Sequence, residues 1–198
     1  QQKEKMSDTV HTSIWLALAS GLVMAVVGLV FSRGALLLMA TPEDVIDQSV
    51  LYMKIYFLGM PFFMLYNYGA AILRAIGDTK RPLAFLVLSG VVNACLNVFL
   101  VVVFHLDVAG VAIATVISQM ISCVLVLSCL VRAEGSYRLN LKAIRLNVWC
   151  AARIFQVGLP AGIQSTVINF SNVLLQSSVN SFGSTAMAGY TAANNLLS

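Results

Sequence analysis

Two groups of amide side chains are the residues of this sequence whose types and spacing could carry chemistry. In the apolar run at about 83–104, Ser89, Asn93 and Asn97 recur every fourth residue, which places them on one face of a helix. The run at about 154–178 carries a longer stripe, spaced by three and four residues: Gly158, Gly162, Ser165, Asn169, Asn172 and Gln176. Such stripes either hydrogen-bond to a neighbouring helix or line a water-filled cavity. Two stripes of this kind favour the cavity.

The predicted cavity site consists of amides, which bind a ligand by hydrogen bonds and do not titrate. Its predicted lining residues are Asn93, Asn97, Gln164, Asn169, Asn172 and Gln176. We predict no catalytic residue and no enzyme activity, because the sequence has no H-E-x-x-H or G-x-S-x-G motif and no paired carboxylates within its apolar runs. All eight acidic residues fall in the predicted tails and connections, so the usual intramembrane proton relay is not expected either.

The four cysteines predict neither a metal site nor a disulfide framework. No C-x-x-C motif is present, and Cys95, Cys123 and Cys129 lie inside apolar runs. We expect them to pack as small apolar side chains, and we expect no metal and no cofactor.

The composition predicts an integral membrane protein. Of the 198 residues 59% are hydrophobic and only 10% are charged, whereas soluble proteins carry about 25% charged residues. Apolar runs long enough to cross a bilayer lie at about 10–32, 48–75, 83–104, 108–131 and 154–178, and a sixth begins at about 184. The predicted fold class is therefore all-α, a polytopic transmembrane helix bundle in contact with membrane lipid.

Several residues within these runs predict bends and close packing. Pro61 and Pro160 are the candidate bending points, because proline removes a helix hydrogen bond. Small residues at helical spacing form two ridges against which another helix can pack closely, Ala17, Gly21, Ala25 and Gly28 in the first and Gly110, Ala114, Ser118 and Ser122 in the second. Between the fourth and fifth predicted spans, residues 139–149 alternate apolar with basic and polar side chains, which predicts a helix lying on the membrane surface.

The distribution of Lys and Arg predicts the orientation. Ten of the twelve lie on one side of the predicted membrane, in the N-terminal tail, the loop at 74–82 and the linker at 132–153. They are Lys3, Lys5, Arg74, Lys80, Arg81, Arg132, Arg138, Lys142, Arg145 and Arg153. Only Arg33 lies on the other side, and Lys54 lies within a span. The basic side is expected to be cytoplasmic. Because the basic residues lie in loops and not on one solvated face, we expect no nucleic-acid partner.

Four motifs, in order and spacing, resemble the multidrug and toxic compound extrusion (MATE) family. They are LRAIGDTKRPL at 73–83, the pair Asn93 and Asn97, AGVAIATVISQ at 109–119 and GLPAG at 158–162. The resemblance implies a fragment of a twelve-helix, two-lobe transporter. Residues 1–131 would be the latter part of the first lobe, 132–153 the cytoplasmic interlobe linker and 154–198 the start of the second lobe.

The resemblance also implies a function. It implies a secondary antiporter that exports drugs, organic cations or small metabolites across the inner membrane of the cell, driven by a sodium or proton gradient. We expect it to act as a monomer when full length.

One residue departs from the family pattern. Many members carry Asn-x-x-x-Asp where this sequence has Asn93-x-x-x-Asn97, and an amide cannot carry a proton. The alternative function is a lipid-linked oligosaccharide flippase of the related superfamily, which would need basic side chains in its cavity for the pyrophosphate. Only Lys54 could serve.

Overall fold

The computed structural model describes the backbone of residues 2–38, 43–135, 137–140 and 144–181, and the side chains of 5–37, 46–135, 137–140 and 144–172. The described chain is helical and contains no strand, which confirms the predicted all-α class. A five-residue π-helix, Phe99–Val103, extends the fourth helix. The helices are α1 Gln2–Leu38, α2 Glu43–Leu58, α3 Met60–Ala75, α4 Lys80–Val98, α5 Asp107–Arg132 and α6 Val148–Ser181.

Several of these helices are long and apolar enough to cross a membrane. Among the described residues three qualify singly, Lys5–Leu37, Lys80–Val103 and Asp107–Arg132. A fourth span is formed if the pair Ile46–Leu58 and Met60–Ala75 crosses together. The chain is therefore a multi-pass membrane protein. The predicted span at 154–178 is part of helix α6, but its amides, serines and glycines lower its hydropathy, and its crossing stays a prediction.

The break between α2 and α3 lies at Gly59 and bends the pair by 43°. The Gly59 amide donates to the Tyr56 carbonyl over 3.0 Å, and the Phe63 amide donates to the Gly59 carbonyl over 3.1 Å. Pro61 occupies the first turn of α3, where its missing N–H needs no helical partner. Pro160 lies inside α6, with helix on both sides of it.

The two predicted small-residue ridges are confirmed. In α1, Ala17 is completely buried and Gly21 lies directly against the backbone of Pro61. In α5, the side of the helix that carries the second ridge is buried, including Ala114 and Ser118. These ridges let α1 pack closely on α2 and α3, and α5 on α3 and α4, because small side chains leave room for neighbouring backbones.

The linker that precedes α6 packs into the core and does not form a surface helix. Leu139 is 1% exposed and packs with Val10, Ile14, Leu73, Val126 and Leu130. Its backbone amide donates to the Leu130 carbonyl over 3.0 Å. The prediction of a surface helix is wrong, since the described residues between Arg132 and Val148 are not helical.

Side chains of α1 replace the helical hydrogen bonds that the linker lacks. The His11 ring, 5% exposed, bonds through Nδ1 to the Ser7 carbonyl over 2.7 Å, so its Nε2 is free to accept from the Asn140 amide over 3.2 Å. One turn further, the Thr12 hydroxyl oxygen accepts from the Asn147 amide over 3.1 Å. The linker is thus held by buried polar groups of α1.

An ion pair and a thiol contact complete this attachment. Asp8 pairs with Arg145 and also accepts from the side-chain amide of Asn147 over 3.1 Å. The hydrogen bond that Arg145 donates to Asp8 raises the pKa of the Arg145 guanidinium. The Cys150 thiol lies 3.7 Å from the Thr9 hydroxyl oxygen. Asp8 therefore lies within a helix and not in a tail, because α1 starts earlier than predicted, but it is satisfied by linker groups.

The described contacts divide the chain into two compact units, Gln1–Ala151 and Ala152–Ser198. The first contains α1 to α5, the linker and the first residues of α6. The predicted division into lobes at 131 and 153 stays a prediction. The sixth span predicted from about 184 lies outside the described residues.

Candidate functional site

A cavity of about 270 Å³ lies in the first unit between α3, α4 and α5. Both apolar and polar side chains line it, and hydroxyl and amide groups supply the polar part. Its lining residues are Phe63, Tyr66, Leu86, Ser89, Gly90, Asn93, Thr115, Ser118, Gln119 and Ser122. One of the two predicted stripes, that of α4, therefore faces a cavity through Ser89 and Asn93.

The two asparagines of α4 form the centre of a hydrogen-bond network. The Asn97 side-chain amide donates through Nδ2 to Asn93 Oδ1 over 3.0 Å. Asn93 in turn donates through Nδ2 to Thr115 Oγ1 over 3.4 Å and to Ser118 Oγ over 3.3 Å. The four-residue spacing thus holds the amides together within α4, and Asn93 links that helix to α5.

The two hydroxyl groups of α5 act as acceptors toward Asn93. Thr115 Oγ1 donates its own proton to the Val111 carbonyl over 2.9 Å, and Ser118 Oγ donates to the Thr115 carbonyl over 2.8 Å. A hydroxyl has one proton, so both oxygens meet Asn93 with lone pairs only. This arrangement orients the Asn93 amide and determines which of its atoms faces Asn97.

Two amide oxygens near the cavity have no hydrogen-bond partner in the described chain. Asn97 Oδ1 and Gln119 Oε1 are buried and unpaired. Buried oxygens without a partner lose about 1–3 kcal/mol of solvation each, and a donor or a cation that reaches them restores it. The network and its surroundings therefore include buried acceptor oxygens, and the described lining of the cavity has no carboxylate.

The helix break contributes to the position of Gln119. A Cβ atom at Gly59 would lie 2.8 Å from Gln119 Oε1 and 2.9 Å from a methyl carbon of Val116. Only glycine leaves enough room there for the glutamine side chain beside the bend. The ring of Tyr66 is fixed as well, since its hydroxyl donates to the Pro82 carbonyl over 2.9 Å.

The structure brings together some of the six predicted amides. Asn93 lines the cavity, whereas Asn97 is not among the lining residues and is connected to it through its hydrogen bond to Asn93. Gln164, Asn169 and Asn172 are exposed on α6, in the second unit. The side chain of Gln176 lies outside the described residues.

Sequence reasoning missed Thr115 and Gln119 and assigned Ser118 to packing alone. Ser118 belongs to the small-residue ridge of α5, and Thr115 lies one turn before it on the same face. That adjacency is the signal that could have found Thr115. Gln119 had no comparable signal, because its role depends on the glycine opposite it.

Known proteins with similar sequences are named as multidrug resistance or multidrug export proteins. The MatE family model matches residues 1–99, half of the chain. The probable multidrug resistance protein YoeA of Bacillus subtilis is 31% identical over 205 residues, a match that covers 100% of this chain and 44% of that protein. The multidrug export protein MepA of Staphylococcus aureus is 26% identical over 178 residues, covering 90% of this chain and 40% of that protein.

A solved structure shows the same fold. A MOP superfamily transporter from Pyrococcus furiosus superposes with a TM-score of 0.85 at 21% identity, covering 98% of this chain and 44% of that one. The chain spans less than half the length of the relatives it matches. The resemblance carried by the four sequence motifs is confirmed, and the chain belongs to the multidrug and toxic compound extrusion family.

Proposed function

We propose that this chain is part of a secondary active antiporter that exports drugs, organic cations or small metabolites, driven by a sodium or proton gradient. The observation that carries the proposal is the amide and hydroxyl network of Asn93, Asn97, Thr115 and Ser118, which borders a cavity between candidate membrane spans. Polar groups are costly among apolar helices and mark substrate or ion pathways in membrane proteins.

The cavity lining suits an amphipathic substrate. Phe63 and Tyr66 offer aromatic surface, and Asn93 and Gln119 contribute side-chain amides to the lining. Aromatic faces and carbonyl oxygens both attract a cation that has shed its water. Curated relatives of this chain are named as multidrug resistance and multidrug export proteins, which supports the same substrate class.

The described lining does not favour the alternative of an oligosaccharide flippase. It contains no Lys or Arg that could hold a pyrophosphate. Lys54, the one basic residue considered for that role, is exposed on α2 and is not a lining residue.

The amide pair constrains the coupling ion. Asn93 and Asn97 cannot exchange a proton, but their oxygens can coordinate sodium as neutral ligands. The proposal therefore has two alternatives for the coupling ion. In the first, sodium is coordinated by these neutral oxygens; in the second, a proton is carried by a carboxylate outside this network. No bound cofactor is required in either case.

The proposed setting is the inner membrane of the cell, with the N-terminal tail and the linker in the cytoplasm and the full-length protein acting as a monomer. The excess of Lys and Arg in the tail, the loop at 74–82 and the linker supports this orientation.

The experiment that tests the proposal is dye efflux by the full-length protein in membrane vesicles with an imposed sodium or proton gradient. We expect efflux that depends on one of the gradients and that falls when Asn93 is replaced by Leu. Gradient-independent accumulation of dye, equal to that of empty vesicles, would contradict an antiporter.

An Asn97→Asp variant tests whether the network is close to the coupling ion. We expect the pH dependence of efflux by the variant to differ from that of the wild type, because the new carboxylate titrates where the amide did not. Gln48→Glu is the matched control, since it adds the same charge at an exposed position of α2. An unchanged pH profile in Asn97→Asp would place the coupling site elsewhere.

A further inference from the structure

A cluster of basic side chains lies at the corner where α4 begins and α5 ends. Lys80 and Arg81 are in the first turn of α4, and Arg132 is in the last turn of α5. Arg138 follows in the linker. All four side chains are exposed. None of them takes part in the core, the cavity or the attachment of the linker to α1.

Arg81 is fixed in place and still presents part of its guanidinium to solvent. Its Nε lies 3.3 Å from Asp78 Oδ2, and its backbone amide donates to Asp78 Oδ1 over 3.2 Å. Its Nη1 donates to the Cys129 sulfur over 3.6 Å, yet its side chain remains 63% exposed. Cys129 lies one turn before Arg132 on α5, so this contact brings Arg81 to within a turn of Arg132.

A turn in the linker adds Arg138 to the same corner. Gly135 adopts a φ of +127°, which a side chain would disfavour, and the Arg138 amide donates to its carbonyl over 3.2 Å. The chain then runs back along α5, and Arg138 Nε donates to the Val131 carbonyl over 3.2 Å. The Arg138 side chain remains exposed. Contacts with Cys129 and Val131 thus place Arg81 and Arg138 at the C-terminal end of α5, where Arg132 also lies.

The surface next to this corner is apolar. Along α4, directly after the basic residues, Leu83 is 61% exposed, Leu86 53% and Val87 58%. On α5, Val124 is 58% exposed. A charged corner next to an exposed apolar helix face matches the two parts of a phospholipid. The basic side chains suit its headgroup, and the apolar face suits its acyl chains.

We propose that this corner, formed by Arg81, Arg132, Arg138 and Lys80, is a binding site for an anionic phospholipid. The phosphate contacts the arginines, whose planar donors match phosphate oxygens, and an acyl chain lies along Leu83 and Val87 of α4. Only two carboxylates, Asp78 and Glu134, lie near these four basic residues in the sequence, so positive charge is in excess. Basic clusters at the end of membrane helices bind anionic headgroups in this way.

Native mass spectrometry of the full-length protein in detergent tests the site. Phosphatidylglycerol is titrated, with phosphatidylcholine of the same acyl chains and glycerol 3-phosphate as comparison ligands. We expect phosphatidylglycerol to bind more tightly than both, because the site uses phosphate charge and acyl contact together. We expect the double variant Arg81→Gln, Arg132→Gln to weaken that binding about 30-fold, since each basic residue near an anionic headgroup contributes on the order of 1 kcal/mol, a factor of about five.

A second double variant, Arg33→Gln with Lys54→Gln, is the matched control. It removes two exposed positive charges outside the corner and should leave phosphatidylglycerol binding within twofold of wild type. Circular dichroism of both variants checks that each remains folded.

Each other outcome overturns the proposal. Equal binding of phosphatidylcholine excludes an anionic headgroup site. Equal binding of glycerol 3-phosphate means that the occupant is a free phosphate and not a lipid. Equal loss in the two double variants means that binding follows net charge alone. If no lipid binds specifically, the corner is covered in the full-length protein or receives a protein partner.

Discussion

Replacement of Gly21 by alanine tests the close packing of α1 on the broken span. A Cβ atom at this position would lie 2.5 Å from the Pro61 Cα, 3.1 Å from the Pro61 nitrogen and 3.2 Å from the Met60 carbonyl oxygen. Carbon atoms in contact are about 3.5–4.0 Å apart, so the methyl group overlaps the neighbouring backbone by roughly 1 Å. A backbone cannot rotate away as a side chain can, and one of the two helices must move.

The expected loss of stability is measured by comparing two glycine-to-alanine variants within α1. Overpacking of this kind costs about 1–3 kcal/mol. Alanine also gains up to about 1 kcal/mol over glycine inside a helix, which would hide part of the cost. Gly34→Ala serves as the control, because a Cβ atom at Gly34 meets nothing within 4 Å. The difference between the two variants removes the helix-propensity gain that they share.

The assay is unfolding of the full-length protein in detergent, followed by circular dichroism. We expect Gly21→Ala to be less stable than Gly34→Ala by about 1–3 kcal/mol. Equal stability of the two variants would refute the close approach of α1 to Pro61.

Two further predictions concern the polar contacts. Asn93→Ala removes one hydrogen bond within α4 and two longer ones to α5, and at about 0.6 kcal/mol for each membrane bond we expect a loss of about 1–2 kcal/mol in the same unfolding assay. Asn67→Ala, whose amide bonds within its own helix, should cost less than half as much, and an equal cost would contradict the network. Thr9→Cys should form a disulfide with Cys150 on mild oxidation, since the hydroxyl oxygen and the sulfur are 3.7 Å apart, and intact mass after thiol labelling measures it. Ser7→Cys, which lies on a different side of α1, should form none; a disulfide in neither variant would argue against the attachment of the linker.

The fold could be predicted from the sequence wherever an apolar run or a small-residue spacing was decisive. The ridge containing Gly21 predicted close helix packing, and the structure places the Pro61 backbone against it. The prediction for the linker, by contrast, was wrong. Its alternation of apolar and basic residues resembled an amphipathic helix, but Leu139 is buried in the core. The backbone amides of Asn140 and Asn147 donate to side chains of α1. A pattern of hydrophobicity does not reveal that a distant helix supplies these acceptors.

The candidate site was predicted only in part for a similar reason. The spacing of Asn93 and Asn97 places both on one face of α4, because a helix repeats every 3.6 residues. The spacing does not show which residues of another helix lie opposite. Thr115 and Gln119 therefore entered the site only with the structure.

The sequence by itself determined that the chain is helical and resides in a membrane, because long apolar runs must satisfy their backbone groups within a helix when no water is present. It also determined the order of the motifs that mark the family and the face of α4 that is polar. Tertiary structure alone decided that Asn93 meets Thr115 and Ser118, and that Gln119 fits beside Gly59. Contacts within a helix follow from its regular geometry, whereas contacts between helices depend on how close neighbouring backbones can approach.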